Sequence, residues 1–311
     1  MTAADESEVD AIETGSGASS PLGLAPSAPP AVPAPAPSAE RTVTDFVETT
    51  GARSRRPLLR HGSWGLARSL TRQSIATRYR QSTLHLAWLV VQPLAFVGVY
   101  ALFFHGVLNL GSGDVPYLSF IVAGIVPWRF ISNGLGNPTA ITDNIHLISK
   151  VYFPREIIPL VSVGTGVVDL AIGTVIMLVV AAVQGNPPTY HLVALPLAYL
   201  LLIVVTAALT VFVCTVAVFI RDLGHAMPLV LIGVFFATPI MYTTSQLPSW
   251  LQWFPKVNPF AVVISEVRDV VLYQQWFPPT AYLVHLLFAV CLFVASLAYV
   301  RSVEARMVDL A

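Results

Sequence analysis

One charged and aromatic stretch, lying between two strongly apolar ones, carries the side chains in this sequence best suited to binding another molecule. It runs from Asn144 to Pro159 and contains Lys150, Arg155 and Glu156 beside a Phe-Pro step. Charged groups make ion pairs and charge-assisted hydrogen bonds with a partner, and the Phe-Pro step adds a rigid aromatic contact. A loop that only joined two membrane helices would need none of these groups. The stretch therefore predicts a docking site for another protein.

The absence of several known sequence motifs argues against some classes of function. It has no Gly-x-x-x-x-Gly-Lys-Ser/Thr stretch to cradle nucleotide phosphates, no His-Glu-x-x-His helix, no Gly-x-Ser-x-Gly elbow and no Cys-x-x-Cys pair. The sequence therefore predicts neither an enzyme nor a metal site. Any work driven by ATP must come from a separate subunit.

The elements that position these residues are membrane helices. The chain of 311 residues is 55% hydrophobic and 11% charged, whereas a soluble domain has roughly 25% charged residues. Its apolar runs are continuous rather than alternating and close to the roughly 20 residues that a spanning helix needs, so the sequence predicts an all-α integral membrane protein. The six predicted transmembrane helices are His85 to Leu108, Pro116 to Gly136, Leu160 to Gln184, Leu192 to Ile220, Ala226 to Tyr242 and Pro279 to Val300.

The distribution of charge predicts the orientation of these helices. Residues 51–80 contain eight arginines and no acid, and basic flanks hold a helix end in the cytoplasm. Further basic residues fall in alternate loops or at the end of the chain: Lys150, Arg155, Arg221, Arg301 and Arg306. The sequence thus predicts a multi-pass protein of the plasma (inner) membrane with both termini cytoplasmic.

The chain is organised into a tail and a membrane domain. Residues 1–60 are first acidic, then rich in Pro and Ala, and finally basic, and a segment with so few large apolar groups is expected to be disordered. Residues 61–82 mix aromatic, aliphatic and arginine side chains, which predicts a basic interfacial helix, with a loose juxtamembrane segment as the alternative. Residues 83–305 form the predicted transmembrane domain.

The segment between the fifth and sixth predicted spans, residues 243–278, is too aromatic for an ordinary solvated loop. Asn258-Pro259 can start a helix, with Asn as the cap and Pro as the first helical residue. Apolar residues then recur at helical spacing, and Glu266, Arg268 and Asp269 are predicted to mark a polar side. We expect short external helices that dip back toward the membrane, with an interfacial aromatic belt as the alternative.

Two ionisable residues, Arg129 and Asp169, lie within predicted spans. Charges there are costly and often functional. Asp169 lies among glycines that allow close helix packing, so it is either an ion-coupling group or a hydrogen-bonded structural acid. The roles of both residues stay open at this point.

Five segments, taken in order, resemble the membrane subunit of ABC-2-type polysaccharide exporters, which move O-antigen, capsule, teichoic acid or, in actinobacteria, lipid-linked galactan. They are Gly124-Ile-Val-Pro-Trp128, Lys150-Val-Tyr-Phe-Pro-Arg-Glu156, Phe219-Ile-Arg-Asp-Leu223, Thr238-Pro-Ile-Met-Tyr242 and Asn258-Pro-Phe260 followed by Arg268. The resemblance covers about residues 65 to 305.

The resemblance implies a homodimer driven by two copies of a nucleotide-binding subunit, which would hold ATP and Mg, with no cofactor on this chain and no nucleic-acid partner. It places an ATPase-coupling loop at 137–159, with the candidate contacts Asn144, Lys150, Tyr152, Phe153, Pro154, Arg155 and Glu156. Arg221 and Asp222 would be a second cytosolic contact or a structural ion pair. The external segment 243–278 becomes a gate, with the candidates Trp250, Trp253, Asn258, Pro259, Glu266 and Arg268.

The implied function is export of a lipid-linked polysaccharide for cell-wall biogenesis through a channel at the dimer interface. Sugar rings stack on aromatic surfaces, and the candidate channel residues are Tyr100, Phe103, Phe104, Trp128, Phe235, Phe236 and Tyr242, each with lipid-facing or core packing as the alternative. A drug or free lipid as cargo is the alternative within the family. An ion-coupled carrier or a membrane enzyme is the alternative outside it.

Overall fold

The computed structural model describes residues 68–72, 74, 91, 95, 98–99, 102–103, 115–144 and 154–309, without the side chains of 305, 308 and 309. All of them lie in one compact unit, Pro57–Ala311. No strand occurs among these residues, which confirms the all-helical prediction there. The tail, most of the interfacial helix and most of the first predicted span lie outside the described residues.

Eight α-helices carry the fold of the described part. They are α1 (Tyr117–Leu135), α2 (Ala140–Asp143), α3 (Ile157–Val183), α4 (Leu195–Phe219), α5 (Leu223–Ala237), α6 (Phe254–Val257), α7 (Pro259–Val271) and α8 (Pro279–Asp309). Short 3-10 turns at Tyr190–Ala194, Thr244–Gln246 and Ser249–Leu251 join some of them.

Four of these helices are long and apolar enough to cross a membrane: Tyr117–Leu135, Ile157–Val183, Tyr190–Phe219 and Pro279–Glu304. They correspond to the second, third, fourth and sixth predicted spans. The start of α3 corrects the loop boundary, because Ile157, Ile158 and Pro159 are helical and not part of the loop. Proline is tolerated there since the first turn of a helix needs no donor.

The fifth predicted span ends earlier than expected. Helix α5 stops at Ala237, whereas the prediction continued to Tyr242. Thr238 takes an extended conformation before Pro239, as residues that precede proline commonly do. With 15 residues α5 is about 22 Å long.

The core forms around α1, which is buried over most of its length against α3, α4 and α7. Gly166 and Gly173 of α3 let it approach α1 closely, because a Cβ at these glycines would meet Phe130 and Val126 at 3.2 and 3.1 Å. Small residues at such contacts are typical of membrane helix packing. Helices α3, α5 and α8 turn large apolar side chains outward, as expected for lipid or subunit contacts.

Candidate functional site

The external segment folds into short helices that lead to α7. The predicted cap is confirmed, because the Asn258 side chain accepts a hydrogen bond from the Phe260 amide at 3.0 Å and Pro259 is the first residue of α7. Trp250 and Trp253, two other predicted gate residues, are exposed.

The prediction that Glu266, Arg268 and Asp269 mark a polar side of α7 was wrong for Glu266 and Arg268. Glu266 and Arg268 are only 5% and 6% exposed. Arg268 follows Phe260 and Ile264 at intervals of four residues, so all three share the buried face of the helix. This spacing was present in the sequence and would have indicated the burial of Arg268.

Arg268 joins α7 to two other elements. Its Nη1 donates to the carbonyl of Pro239 at 2.7 Å, and its Nη2 donates to the carbonyls of Ile240 at 2.6 Å and Phe120 at 3.2 Å. Its guanidinium carbon also lies 3.5 Å from the centroid of the Phe120 ring, a cation–π contact. Gly124 makes room for the guanidinium, because a Cβ there would lie 2.8 Å from Nη2.

The turn that follows α5, Thr238–Tyr242, receives two further hydrogen bonds. Asn258 donates from Nδ2 to the Thr238 hydroxyl at 3.1 Å, and the Tyr117 hydroxyl donates to the carbonyl of Met241 at 2.9 Å. Side chains of α1 and α7 and the Asn258 cap therefore hold the end of α5 in place. Tyr117 was not among the predicted site residues, and Gly124 was singled out only as the first residue of a family-like segment.

Glu266 is a second unusual group on α7. Its Oε2 is buried without a hydrogen-bond partner in the described part of the chain. Burial, together with the negative charge of Asp269, raises the pKa of Glu266 to about 8. Its carboxyl group therefore holds a proton at neutral pH more readily than an ordinary glutamate.

A pocket of about 320 Å³ opens between α1 and α5. The Trp128 and Phe235 rings meet there with their centroids 5.3 Å apart, and Phe236 packs edge-on against Phe235 at 5.4 Å. The lining also includes polar side chains of α1, namely Arg129, Ser132 and Asn133.

The pocket brings together three of the seven predicted channel aromatics. A fourth, Tyr242, donates from its hydroxyl to the carbonyl of Phe236 at 2.8 Å. Phe103 is exposed, and Tyr100 and Phe104 lie outside the described residues. Asp169 accepts a long hydrogen bond from Asn133 at 3.5 Å, a contact that fits its reading as a structural acid.

The described part of the predicted coupling loop is tied to the C-terminal helix α8. Arg155 donates from Nη1 to the carbonyl of Glu304 at 3.0 Å, and the carboxylate of Glu156 lies 3.7 Å from the guanidinium of Arg301. Asn144 caps α2 by donating to the carbonyl of Ala140 at 2.8 Å. Lys150, Tyr152 and Phe153 lie outside the described residues.

A small apolar cluster connects the other end of this loop to the same region. Ala140 and Ile141 of α2 pack with Cys214 and Val218 of α4 and with Val303 and Met307 of α8, a set that is separate from the main core. One end of the loop thus bonds directly to the C-terminal part of α8, and the other end shares an apolar cluster with it.

Arg221 and Asp222 form the exposed turn between α4 and α5. Neither side chain forms an ion pair with a described residue, so the structure offers no contact in favour of the structural ion pair. Their exposure leaves both groups accessible to a partner.

Residues 66–272 match the family described as ABC-2 type transporter. The chain is similar to the O-antigen export system permease protein RfbA of Myxococcus xanthus, with 31% identity over 217 residues, which are 69% of this chain and 82% of that protein. It is also similar to an O-antigen export system permease protein RfbA of Klebsiella pneumoniae, with 28% identity over 204 residues, which are 65% of this chain and 78% of that protein.

Proposed function

The chain belongs to the ABC-2 type transporter family, and we propose that it is the permease subunit of an ATP-driven exporter of a lipid-linked polysaccharide. The observation that carries the proposal is the similarity over most of the chain to permeases of O-antigen export. The aromatic pocket between α1 and α5 supports a glycan cargo, because sugar rings stack on such surfaces.

The subunit is a six-span protein of the plasma (inner) membrane with both termini in the cytoplasm. Four of the spans are the long helices, and the short helix α5 together with the Thr238–Tyr242 turn makes another. The remaining one is the first predicted span, most of which lies outside the described residues. The outward apolar face of α5, which includes Leu229, Ile232 and Phe236, suits a contact with a second copy of the chain. The functional unit is then a homodimer with the channel between its two halves.

Energy comes from two copies of a nucleotide-binding subunit that hold ATP and Mg. Their docking site is the loop around Lys150–Glu156, with the exposed Arg221 and Asp222 as a second contact. The bonds from Arg155 and Glu156 to α8 support a mechanical role, because a displacement of the loop acts directly on the last span.

At the opposite side of the membrane, the external segment 243–278 acts as a gate. Arg268 ties α7 to α1 and to the end of α5, so the closed gate is held by three hydrogen bonds and one cation–π contact. Movement of α5 would break the bonds to Pro239 and Ile240 together. Force applied at the loop would reach α5 through α8 and α4, because α8 packs against α4 and α4 leads directly into α5.

The docking claim is tested by alanine substitution at Phe153 and Pro154, with Pro187→Ala as the matched control. Pro187 lies in the exposed loop between α3 and α4, at the other end of α3. We expect the double variant to lose both co-purification of the nucleotide-binding subunit and ATP-dependent export, and the control to keep both. Assembly and export that persist in the double variant would refute docking at this loop.

The cargo is tested separately by depleting the protein in its native cell. We expect a lipid-linked glycan to accumulate on the cytoplasmic side. If no glycan accumulates, the cargo is a drug or a free lipid, and the polysaccharide assignment is wrong.

A further inference from the structure

Three aromatic rings from two separate loops meet where α4 and α8 begin. Tyr190 and His191 lie just before α4, and Trp276 lies just before α8. The centroid of the His191 ring is 4.0 Å from that of Tyr190 and 5.2 Å from that of Trp276. Tyr190 and Trp276 are 72% and 57% exposed, whereas His191 is buried. These three residues, called the aromatic platform below, present two rings to the surroundings on top of a third.

Contacts within and between the two loops hold the platform in place. The Thr189 hydroxyl lies 3.2 Å from Nδ1 of His191, which fixes the orientation of the buried ring. The Gln274 side chain donates from Nε2 to the carbonyl of Pro187 at 3.5 Å, a long hydrogen bond that joins the two loops. Phe277, the residue after Trp276, is buried. The rings are therefore positioned before any ligand arrives, which lowers the entropy lost on binding.

The backbone next to the platform has an unusual conformation. Gln274 has φ 53°, which is the left-handed region, and it is the only non-glycine residue with positive φ in the described part of the chain. Residues other than glycine are disfavoured there, and such conformations cluster at ligand sites. Gln275, which follows it and precedes Trp276, is exposed. The strained segment thus places an accessible amide side chain next to an accessible ring in the sequence.

The two loops carry polar groups but no charge. Residues 184–191 and 273–278 contain no Asp, Glu, Lys or Arg. Cations are the groups that recognise lipid phosphates, and ion pairs commonly fix the orientation of a protein partner. An aromatic ring offers a flat apolar face, which the C–H face of a sugar can cover. Amides both donate and accept hydrogen bonds, as sugar hydroxyls do. Rings and neutral amides together therefore fit an uncharged glycan.

The platform lies too far along α4 to be part of an aromatic belt in the headgroup layer. The candidate span Tyr190–Phe219 has 30 residues, or about 45 Å, and still covers about 42 Å along the membrane normal at a tilt of about 20°. The hydrocarbon core is about 30 Å thick, and each headgroup layer adds about 5–7 Å. Arg221 follows the span by two residues and sets its other end near the headgroups. The excess of about 12 Å is therefore at the Tyr190 end, which puts the platform in water.

We propose that the aromatic platform binds neutral sugar units of a glycan on the external face of the protein, at a site separate from the pocket between α1 and α5. The inference rests on the proposed function, which orients this face outward and supplies a glycan there. Sugar rings stack on Tyr190 and Trp276, and the neighbouring glutamine amides bind hydroxyl groups. The site holds a glycan segment that has already crossed the membrane and so opposes its return.

The first test asks whether the platform faces water or lipid, using the full chain in phosphatidylcholine nanodiscs. The Trp276→Phe variant gives the fluorescence of the other five tryptophans, and the difference from wild type is the emission of Trp276. We expect acrylamide, a quencher dissolved in water, to quench this emission, and phosphatidylcholine with brominated chains to leave it unchanged. Quenching by the brominated chains would show that Trp276 is a membrane anchor and would overturn the proposal.

The second test measures glycan binding to the same nanodiscs by saturation-transfer NMR observed on the glycan. The probe is the glycan released from the lipid-linked pool of the native cell, with its lipid removed, and polyethylene glycol of equal length is the control probe. We expect saturable binding that is weakened at least about tenfold when Tyr190 and Trp276 are both replaced by alanine. Trp276→Phe keeps a ring and should retain most of the affinity. Phe288→Ala, which removes an exposed ring within α8, is the matched control and should bind like wild type.

Several outcomes would refute the platform as a sugar site. They are no saturable binding by the wild type, equal affinity in wild type and the double alanine variant, and equal binding of polyethylene glycol. Raising the salt from about 0.05 to about 0.5 M should leave the affinity unchanged, because neither loop has a charge to screen. A strong dependence on salt would contradict a neutral site. ATP-dependent glycan export without binding at the platform would refute this inference alone, whereas binding without export would refute the proposed function alone.

Discussion

Removing the Arg268 guanidinium should release the turn that follows α5. In Arg268→Met the side chain keeps most of its length but loses its charge and all of its donors. The carbonyls of Pro239 and Ile240, bonded at 2.7 and 2.6 Å in the wild type, then have no partner. The Phe120 carbonyl is affected less, because it lies inside α1 and has a helical partner.

The magnitude follows from these two carbonyls. A buried acceptor left without a donor costs about 1–3 kcal/mol, so two of them cost about 2–6 kcal/mol. Even the lower value corresponds to a change of about thirtyfold in the equilibrium between the closed and the open turn. Amide hydrogen exchange measures this local opening directly.

The assay compares amide exchange in the turn between wild type, Arg268→Met and Lys256→Met, all in lipid nanodiscs. Lys256 lies on α6 in the same external segment and is exposed, so its replacement removes a cation without breaking a buried contact. We expect the Ile240 amide, which donates to the Thr238 carbonyl at 2.7 Å, to exchange at least about thirtyfold faster in Arg268→Met only. An unchanged exchange rate in a folded Arg268→Met protein would refute the claim that Arg268 holds the turn.

Three further predictions test other contacts of the protein. Gly124→Ala should displace the guanidinium, because its Cβ would lie 2.8 Å from Nη2, and should speed exchange in the turn; Gly233→Ala, whose Cβ meets nothing within 4 Å, should not. Burial raises the pKa of Glu266 to about 8. The contribution of this residue to the stability of the closed segment is therefore full at acidic pH and is lost as the pH rises through about 8. Amide exchange in the segment should become faster over the same pH range, and Glu266→Gln should abolish this pH dependence. Arg301→Gln should lower the stability of the protein by less than about 1 kcal/mol, since the 3.7 Å ion pair of Arg301 with Glu156 is partly exposed. The same variant should nevertheless reduce the amount of export per ATP hydrolysed. An unchanged ratio of export to ATP hydrolysis would contradict the role given to this pair.

Local signals in the sequence predicted the elements that depend on local properties. The long apolar runs indicated α1, α3, α4 and α8 because crossing a membrane requires length and hydrophobicity alone. The cap at Asn258 was predictable since its hydrogen bond joins residues only two apart in the chain. The early end of α5 had a local signal too, namely Pro239, which the hydrophobicity of the following residues obscured.

Contacts between distant segments were not predictable in the same way. Arg268 bonds to Phe120, 148 residues away, and Tyr117 bonds to Met241, 124 residues away. The helical spacing could place Arg268 on the buried face of α7 but could not identify the carbonyls that it meets. The pocket likewise depends on how α1 packs against α5, so the aromatics could be named from the sequence but Arg129 could not be assigned to their site.

The central claim is that this chain exports a lipid-linked glycan with energy from a separate ATPase. The most direct measurement reconstitutes the chain with the nucleotide-binding subunit in liposomes whose ATPase side faces outward, and follows protection of a labelled lipid-linked glycan from an added glycosidase. We predict that ATP and Mg make the glycan inaccessible only when both subunits are present. Transfer by this chain alone without nucleotide, or ATP-driven movement of a drug or free lipid but not of the glycan, would contradict the claim.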